Sequence, residues 1–306
     1  MIFLKTRYGN IPKNQLIVEE IPDKPQISLP SEVILLYDPN IDEKSAPIIL
    51  KIKNGKLRRL SSKITTSIDQ IEWIRAGSSI HKIKIPTSLD PRLAYLVGYL
   101  YGDGGFKDIK NSYKKHKRFE HKIIVGDEFK IQIERIKKLF FSLFNLQTKI
   151  RDERIKKGEL MYYLNPTCKI VYRFLVKNFE FKEGPKGNIT MPKIIKNSSS
   201  EIKQWFLRGF VDADGDTRAT EYYSSRKLPS PRIKVRLADK NFINELKINL
   251  NQEFNLNLTG PYSDNERNWY IQCGKGGMIN AHKKMLFTHP IKKWRLKEFL
   301  FKKGNI

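Results

Sequence analysis

Two nine-residue stretches, LVGYLYGDG (96–104) and LRGFVDADG (207–215), share one pattern of small, apolar and acidic residues. In each stretch two small residues stand four positions apart, and an acid follows the second of them directly. At an offset of 111 the aligned pairs are Gly98 with Gly209, Gly102 with Ala213, and Asp103 with Asp214. Further along, HKIIVGDEF (121–129) aligns with IKVRLADKN (233–241) at an offset of 112. This recurrence predicts a duplicated domain.

Each copy begins with an apolar helix that ends in glycine, followed by segments that alternate between apolar and polar residues. The alternation predicts two strands before a second helix and two strands after it, with a helix closing the copy. The predicted order is therefore αββαββα, twice, in an α+β fold. Short apolar runs between Pro, Asp and Gly predict a small, mostly β unit at the N-terminus. The expected units are the N-terminal extension (1–88), the first repeat (89–190) and the second repeat (191–306).

The charge of the chain points to a polyanionic partner. Its 306 residues include 58 Lys+Arg against 32 Asp+Glu, which gives a net charge of +26. Such an excess favours binding to nucleic acid, with an anionic membrane surface as the second choice. No apolar run reaches the roughly 20 residues of a membrane span, and MIFLKTRYGN has no signal-peptide pattern. We therefore expect an intracellular protein of the cytoplasm, nucleoid or an organelle that binds no membrane.

The spacing of small residues in the two apolar helices suggests what these helices do. Gly98 and Gly102 lie on one face of the first helix, and Gly209 and Ala213 form the same face of the second. Small residues at this spacing let two helix backbones approach closely, so we expect the helices to pack about a pseudo-two-fold axis.

The acids that follow these small faces would then lie side by side, near the negative ends of two helix dipoles. Asp103 and Asp214 would repel each other there unless a cation lay between them. Carboxylates of this kind suit Mg²⁺, and a metal-assisted attack of water on phosphodiesters is the chemistry that follows.

The two stretches resemble the paired signatures of the single-chain LAGLIDADG homing endonucleases, and the resemblance covers residues 89–306. It implies two αββαββα repeats that form a pseudosymmetric saddle on double-stranded DNA, with Gly98, Gly102, Gly209 and Ala213 at the helix interface. It also implies a monomer that makes a double-strand break at a long target site, as intron-homing enzymes do. Asp103 and Asp214 would bind Mg²⁺ or Mn²⁺, with the carbonyls of Gly102 and Ala213 as further ligands.

The sequence departs from the family pattern at the sixth signature position, which is Tyr101 in the first copy and Asp212 in the second. Family members also place a lysine or other polar residue near the metals, and no position matches it cleanly. We take Lys122 and Lys234, as a symmetric pair, to be the catalytic candidates for that role. The expected DNA-binding residues are basic residues in and between the strands: Lys107, Lys110, Lys114, Lys115, Lys117, Arg118, Arg151, Arg154, Lys156, Lys157, Arg218, Arg226, Lys227, Arg232 and Arg236.

Other interpretations remain beside the endonuclease. A protein with this fold could bind DNA or RNA without cutting, as an RNA maturase or a transcriptional regulator, although an acid in both copies favours cutting. An unrelated basic scaffold or RNA-binding protein is the third possibility. Because the sequence begins with Met1 and ends in GNI, without splicing residues at either edge, we do not expect an intein.

Overall fold

A computed structural model gives the structure of most of the chain. It describes residues 3–6, 9–29, 48–53, 55, 57–59, 68–76, 79, 81–111, 118–154, 160–182, 184, 187–220, 230–263 and 268–301. Within these ranges, no helix is both long enough and apolar enough to cross a membrane.

The described residues of the N-terminal part include short antiparallel strands. Ile48, Leu50 and Ile74 from these strands are buried in the same hydrophobic core as the first long helix, so this part packs directly on the rest of the chain. The strands are β1 (Phe3–Thr6) paired with β2 (Gly9–Pro12), β3 (Ile27–Ser28) paired with β7 (Ser88–Leu89), and a sheet of order β5–β4–β6 from β4 (Ile48–Ile52), β5 (Leu57–Arg59) and β6 (Ile71–Ala76).

The first repeat has the order αββαββα. Its four strands form one antiparallel sheet in the order β10–β11–β9–β8. The elements are α1 (Pro91–Asp103), β8 (Gly104–Asn111), β9 (Arg118–Asp127), α2 (Lys130–Phe144), β10 (Ile150–Arg154), β11 (Leu160–Leu164) and α3 (Lys169–Phe179). A short helix, α4 (Lys193–Lys196), follows before the second repeat.

The second repeat has the same order and the same sheet topology, β14–β15–β13–β12, and it ends in one additional helix. The predicted α+β fold with two tandem αββαββα repeats is therefore what the structure shows. The elements are α5 (Ser200–Asp214), β12 (Gly215–Thr220), β13 (Ser230–Leu237), α6 (Lys240–Phe254), β14 (Thr259–Ser263), β15 (Trp269–Cys273), α7 (Lys275–Lys283) and α8 (Pro290–Phe301).

Each sheet has one covered face and one open face, as antiparallel sheets commonly do. Ile123 and Val125 of β9 are buried, whereas the alternate residues Lys122 and Ile124 are partly exposed. The same alternation occurs in β13, where buried Ile233 and Val235 flank partly exposed Lys234. The covered faces pack against helices, so the side chains that remain available for a ligand are those of the open faces.

The register of the hairpins corrects the alignment of the two copies. Gly104 lies opposite Val125, and Gly215 lies opposite Val235, so the second strands are related by an offset of 110 instead of 112. The cause is length: the second hairpin returns to its first strand one residue sooner than the first hairpin does. A two-residue error keeps a side chain on the same face but moves it about 7 Å along the strand.

Residues 9–29 form a strap that connects the N-terminal strands to both repeats. Ile11 packs between Phe129 of the first repeat and Ile291 of the second. Glu19 forms an ion pair with Lys293 of α8, and the Glu19 carbonyl accepts a hydrogen bond from Arg135 Nη2 at 3.0 Å. The strap therefore joins α2 to α8 from outside the two repeats.

Candidate metal centre and nucleic-acid interface

Capping residues in the sequence explain where the two signature helices begin. Asp90 caps α1 by accepting a hydrogen bond from the backbone N–H of Leu93 at 2.8 Å, and Pro91 occupies the first helical position. Ser199 caps α5 in the same way through the N–H of Ile202 at 3.4 Å. Helix α1 is buried on nearly every side from Leu93 to Gly102, so it lies at the centre of the molecule.

Helices α1 and α5 pack against each other through their small residues. A Cβ atom added at Gly98 would lie 1.9 Å from the carbonyl oxygen of Phe206, and one added at Gly209 would lie 2.1 Å from that of Tyr95. At the next turn, a Cβ added at Gly102 would lie 2.4 Å from the Cβ of Ala213. The contacts are reciprocal, as a pseudo-two-fold axis between the helices requires, and only glycine permits the backbones to come this close.

The acids of the two signatures are brought together by this packing. Asp103 and Asp214 are the last residues of α1 and α5, and the added Cβ of Gly102 would lie 3.3 Å from Asp214 Oδ2. The carboxylate of Asp214 therefore lies against the end of the opposite helix, one residue before Asp103. Asp103 is exposed and Asp214 is partly exposed, so the pair faces solvent.

A lysine that the sequence did not single out lies at the same helix end. Lys292, in the first turn of α8, donates hydrogen bonds from Nζ to the carbonyl of Asp212 at 2.5 Å and to that of Ala213 at 2.8 Å. Its ammonium group thus contacts the Ala213 carbonyl that we expected to ligate a metal, and it offsets the negative end of the α5 dipole. Lys292 lies 78 residues after Asp214, and no local motif marks it among the many lysines.

Buried polar residues fix α8 against both signature helices. Asp212, fully buried, accepts hydrogen bonds from Tyr95 Oη at 2.8 Å, from Thr288 Oγ1 at 2.6 Å and from the Thr288 backbone N–H at 3.0 Å. Arg135 donates to Thr288 Oγ1 at 2.8 Å and stacks over the Tyr95 ring. Asp212, at the sixth signature position, therefore has a structural role, which is to anchor the loop that leads into α8.

A second buried carboxylate, Asp127 of the first repeat, contacts the second repeat at His289. It accepts a hydrogen bond from Tyr99 Oη at 2.7 Å, and His289 Nε2 of the second repeat lies 3.5 Å from Asp127 Oδ2. Burial alone would raise the pKa of Asp127, but His289, Tyr99 and Lys292 together lower it below its usual range. His289 Nδ1 accepts from the backbone N–H of Ile291 at 3.2 Å, which caps the first turn of α8.

Comparison with curated proteins gives relatives with unrelated names, and no family model matches the chain. The glutamine–fructose-6-phosphate aminotransferase of Methanocaldococcus jannaschii is 25% identical over 233 residues, which are 72% of this chain and 19% of that protein. The probable translation initiation factor IF-2 of the same organism is 28% identical over 80% of this chain and 18% of its own length. The DNA polymerase of Acanthamoeba polyphaga mimivirus is 30% identical over 44% and 7%. The chain thus spans less than a fifth of the length of each of these relatives. Their names have no function in common.

Among solved structures, the chain is similar to DNA-bound endonucleases. The homing endonuclease I-WcaI, bound to its DNA recognition sequence, has a TM-score of 0.48 at 19% identity over 69% of this chain and 88% of that chain. I-DmoI in complex with DNA and Ca has a TM-score of 0.49 at 17% identity over 68% and 97%. At such scores these likenesses by themselves decide neither function nor substrate.

The architecture itself is decisive for the fold. Two αββαββα repeats meet through reciprocally packed signature helices, and each helix ends in an acid, as the sequence resemblance implies. The chain has the LAGLIDADG fold. Its LAGLIDADG helices, α1 and α5, hold the acid pair at the level where β8 and β12 begin.

The two lysines that we expected to be symmetric partners are not equivalent in this LAGLIDADG fold. Lys122 lies opposite Lys107, the third residue after Gly104, whereas Lys234 lies opposite Asp216, the first residue after Gly215. Lys234 Nζ also lies 3.6 Å from the centre of the Tyr270 ring. The expected symmetry is wrong because the alignment was two residues out of register, while a role for either lysine in positioning water stays a prediction.

The predicted DNA-binding residues fall into three groups. In the first group, Lys107, Arg151 and Arg236 are exposed and Arg232 is partly exposed. Arg232 donates a hydrogen bond to Gln272 Oε1 at 2.8 Å. Arg232 and Arg236 flank Lys234 on the open face of β13. Four others belong to described strands, although their side chains are not described: Lys110, Arg118, Arg154 and Arg218. The remaining seven lie outside the described residues: Lys114, Lys115, Lys117, Lys156, Lys157, Arg226 and Lys227.

Proposed function

We propose that this chain is a site-specific DNA endonuclease that hydrolyses one phosphodiester bond in each strand of a long duplex target, in the manner of intron homing. The observation that supports the proposal most is the acid pair, Asp103 and Asp214, at the joined ends of the LAGLIDADG helices. Basic side chains on the open faces of the two sheets would contact the phosphates of the duplex. Because one chain supplies both acids, the protein would act as a monomer.

The acid pair fits a divalent cation. Asp103 and Asp214 are hard oxygen donors at the negative ends of two helices, which is an unfavourable arrangement without a positive charge between them. They would hold Mg²⁺ or Mn²⁺, with the Gly102 carbonyl as a further ligand and the Ala213 carbonyl shared with Lys292. Such an ion lowers the pKa of water and stabilises the charge that develops on the phosphate.

The other residues of the centre would act by binding and by electrostatics. The Lys292 ammonium would offset the dipole of α5, which makes this helix end more favourable for a carboxylate beside the first acid. Arg295 Nη1 lies 3.2 Å from Asp216 Oδ1, and this contact ties the start of β12 to α8. Lys107 and Lys122, opposite each other on β8 and β9, would hold the phosphates of one strand.

The experiment that tests this proposal uses a pool of DNA duplexes with a randomised central segment. Duplexes that the full chain binds are selected first, and the selected duplexes are then incubated with the protein and MgCl₂ or MnCl₂. Wild type should cut both strands. Asp103→Asn and Asp214→Asn should each bind but cut at most one strand, and the double variant should bind without cutting, because the substitutions keep the shape of the side chains but remove the charge.

The controls separate the possible failures. Exposed Lys138 of α2 lies on the helical side, away from the open face, so Lys138→Ala should cut like wild type. If both single Asn variants cut both strands normally, the acid assignment is wrong. If wild type binds its selected duplex but never cuts it with either metal, the chain is a nucleic-acid-binding protein without cleavage, as a maturase or regulator would be.

A further inference from the structure

A polar cavity lies where the N-terminal part meets the first repeat. It has a volume of about 230 Å³ and opens to solvent. Its walls come from the segment after β6, from the start of β10 and from the residues that follow β11. The polar residues that line it are His81, Gln147, Thr148, Lys149, Arg151, Asn165 and Thr167.

The chemistry of this cavity favours an anion. Lys149 and Arg151 supply two positive charges, His81 adds an imidazole, and none of the described residues that line it is acidic. Thr148 Oγ1 and Asn165 Oδ1 are buried, and within the described part of the chain neither oxygen has a hydrogen-bond partner. Buried polar atoms are almost always paired, so these two are suited to hydrogen bonds with a bound group or with the water around it.

The position of the cavity relates it to the open face of the first sheet. Thr167 forms an antiparallel bridge with Lys122, and Arg151 lies opposite Tyr163, which in turn lies opposite Gly126. Lys122, Gly126 and Arg151 therefore share the face that we propose to contact DNA. The cavity lies at the outer edge of this face, beside the first residues of edge strand β10.

The N-terminal wall of the cavity is held in place by backbone contacts. Lys84 N–H donates to the carbonyl of Phe144 at 3.0 Å, and Asn145 Nδ2 donates to the carbonyl of Lys82 at 3.0 Å. These bonds fix the segment that carries His81 against the end of α2. The Lys82 ammonium also lies 5.2 Å from the centre of the Trp73 ring on β6.

We propose that this cavity binds a backbone phosphate of the target duplex, outside the segment that the two sheets contact, so that the N-terminal part lengthens the DNA footprint through His81. This inference rests on the proposed function and adds a contact to it. Arginine, lysine and hydroxyl side chains are the usual partners of DNA phosphates. A small-molecule site would be lined mainly by apolar groups, whereas here Leu146 is the one apolar residue among those described in the lining.

The test measures binding and not cleavage, on a duplex recovered by binding selection with the full chain. Each phosphate contact through a basic side chain contributes about 0.9 to the slope of log K against log salt concentration. Lys149→Ala should therefore lower the slope by about that amount, while Lys138→Ala, the control on the helical side, should leave it unchanged. Thr148→Val and His81→Ala should abolish the interference that ethylation of one flanking phosphate causes in wild type.

The possible outcomes distinguish a failure of the phosphate site from a failure of the endonuclease proposal. If wild type binds the duplex but the salt slope and the ethylation pattern are the same in all the cavity variants, the phosphate site is wrong and the endonuclease proposal stands. If wild type binds no duplex, both proposals fail. A free anion is the alternative ligand, and titration with inorganic phosphate, followed by NMR at His81 and Thr148, tests it. Chemical-shift changes with phosphate but none with duplex would overturn the DNA assignment.

Discussion

Gly98 lies where the LAGLIDADG helices come closest, so its replacement by alanine tests the packing on which the acid pair depends. The added Cβ would lie 1.9 Å from the carbonyl oxygen of Phe206, whereas an ordinary contact begins at 3.4 Å. The helices would have to separate by about 1.5 Å, because the added Cβ is fixed to its own backbone and its neighbour is a backbone carbonyl, so neither atom has a flexible end that could turn away. Overpacking of this kind costs about 3 kcal/mol or more, the upper end of its usual range.

The loss is partly offset by the helix propensity of alanine, which is about 1 kcal/mol better than that of glycine. We therefore expect Gly98→Ala to lower the free energy of unfolding by at least about 2 kcal/mol, which lowers the melting temperature of a chain of 306 residues by roughly 3 °C or more. Gly276→Ala is the matched control, because Gly276 is a helical glycine of α7 with nothing within 4 Å of an added Cβ. This control should gain about 0.5–1 kcal/mol.

Thermal unfolding followed by circular dichroism measures both variants. A Gly98→Ala protein that melts at or above the wild-type temperature would refute the close packing of α1 and α5. At a temperature where the variant is still folded, its cleavage rate should nevertheless fall, since a displacement of about 1 Å at a reacting centre can cost about a hundredfold in rate.

Four further outcomes follow from the buried and partly buried polar residues that contact α8 and the loop before it. Asp212→Asn should lower the free energy of unfolding by about 3 kcal/mol in urea, because it leaves Arg135 and its neighbours without their buried anion; Tyr95→Phe, which removes one hydrogen bond, should cost about 1 kcal/mol. The pKa of Asp127 is lower in the folded protein, so its stabilising effect is present above the ordinary carboxylate range and is lost as the pH falls through the folded value. The difference in urea midpoint between wild type and Asp127→Asn should therefore be larger at pH 6 than at about pH 3, and an equal difference at both would contradict the shift. Lys292→Met should reduce cleavage at least tenfold while duplex binding changes by less than threefold, and equal losses of both would mean that Lys292 acts only on binding.

Much of the fold could be predicted because its determinants are local. The small residues Gly98 and Gly209 lie on helices whose apolar character is continuous, and the backbone contact between them follows from their spacing. The strands of both repeats alternate clearly enough to reveal their order. The caps Asp90 and Ser199 mark where the two signature helices begin.

What could not be predicted depends on lengths and contacts that no short segment encodes. The register of β13 depends on how many residues its hairpin needs to return, so Lys234 was assigned the wrong partner in the other repeat. Lys292 reaches the acid pair only because α8 folds back across the end of α5, and nothing near it in sequence distinguishes it from other lysines. The partners of Asp212 are likewise far apart in the chain, at Tyr95 and Thr288.

The strap formed by residues 9–29 has a consequence for protein engineering. A shortened version that begins at the first repeat would expose Ile291 and remove the partners of Lys293 and Arg135 on Glu19. These contacts hold the first turn of α8, which carries Lys292. A hybrid protein that combines one half of this chain with half of another would therefore need to keep the strap together with α8, because the N-terminal residues support the same helix that supplies a charge to the acid pair.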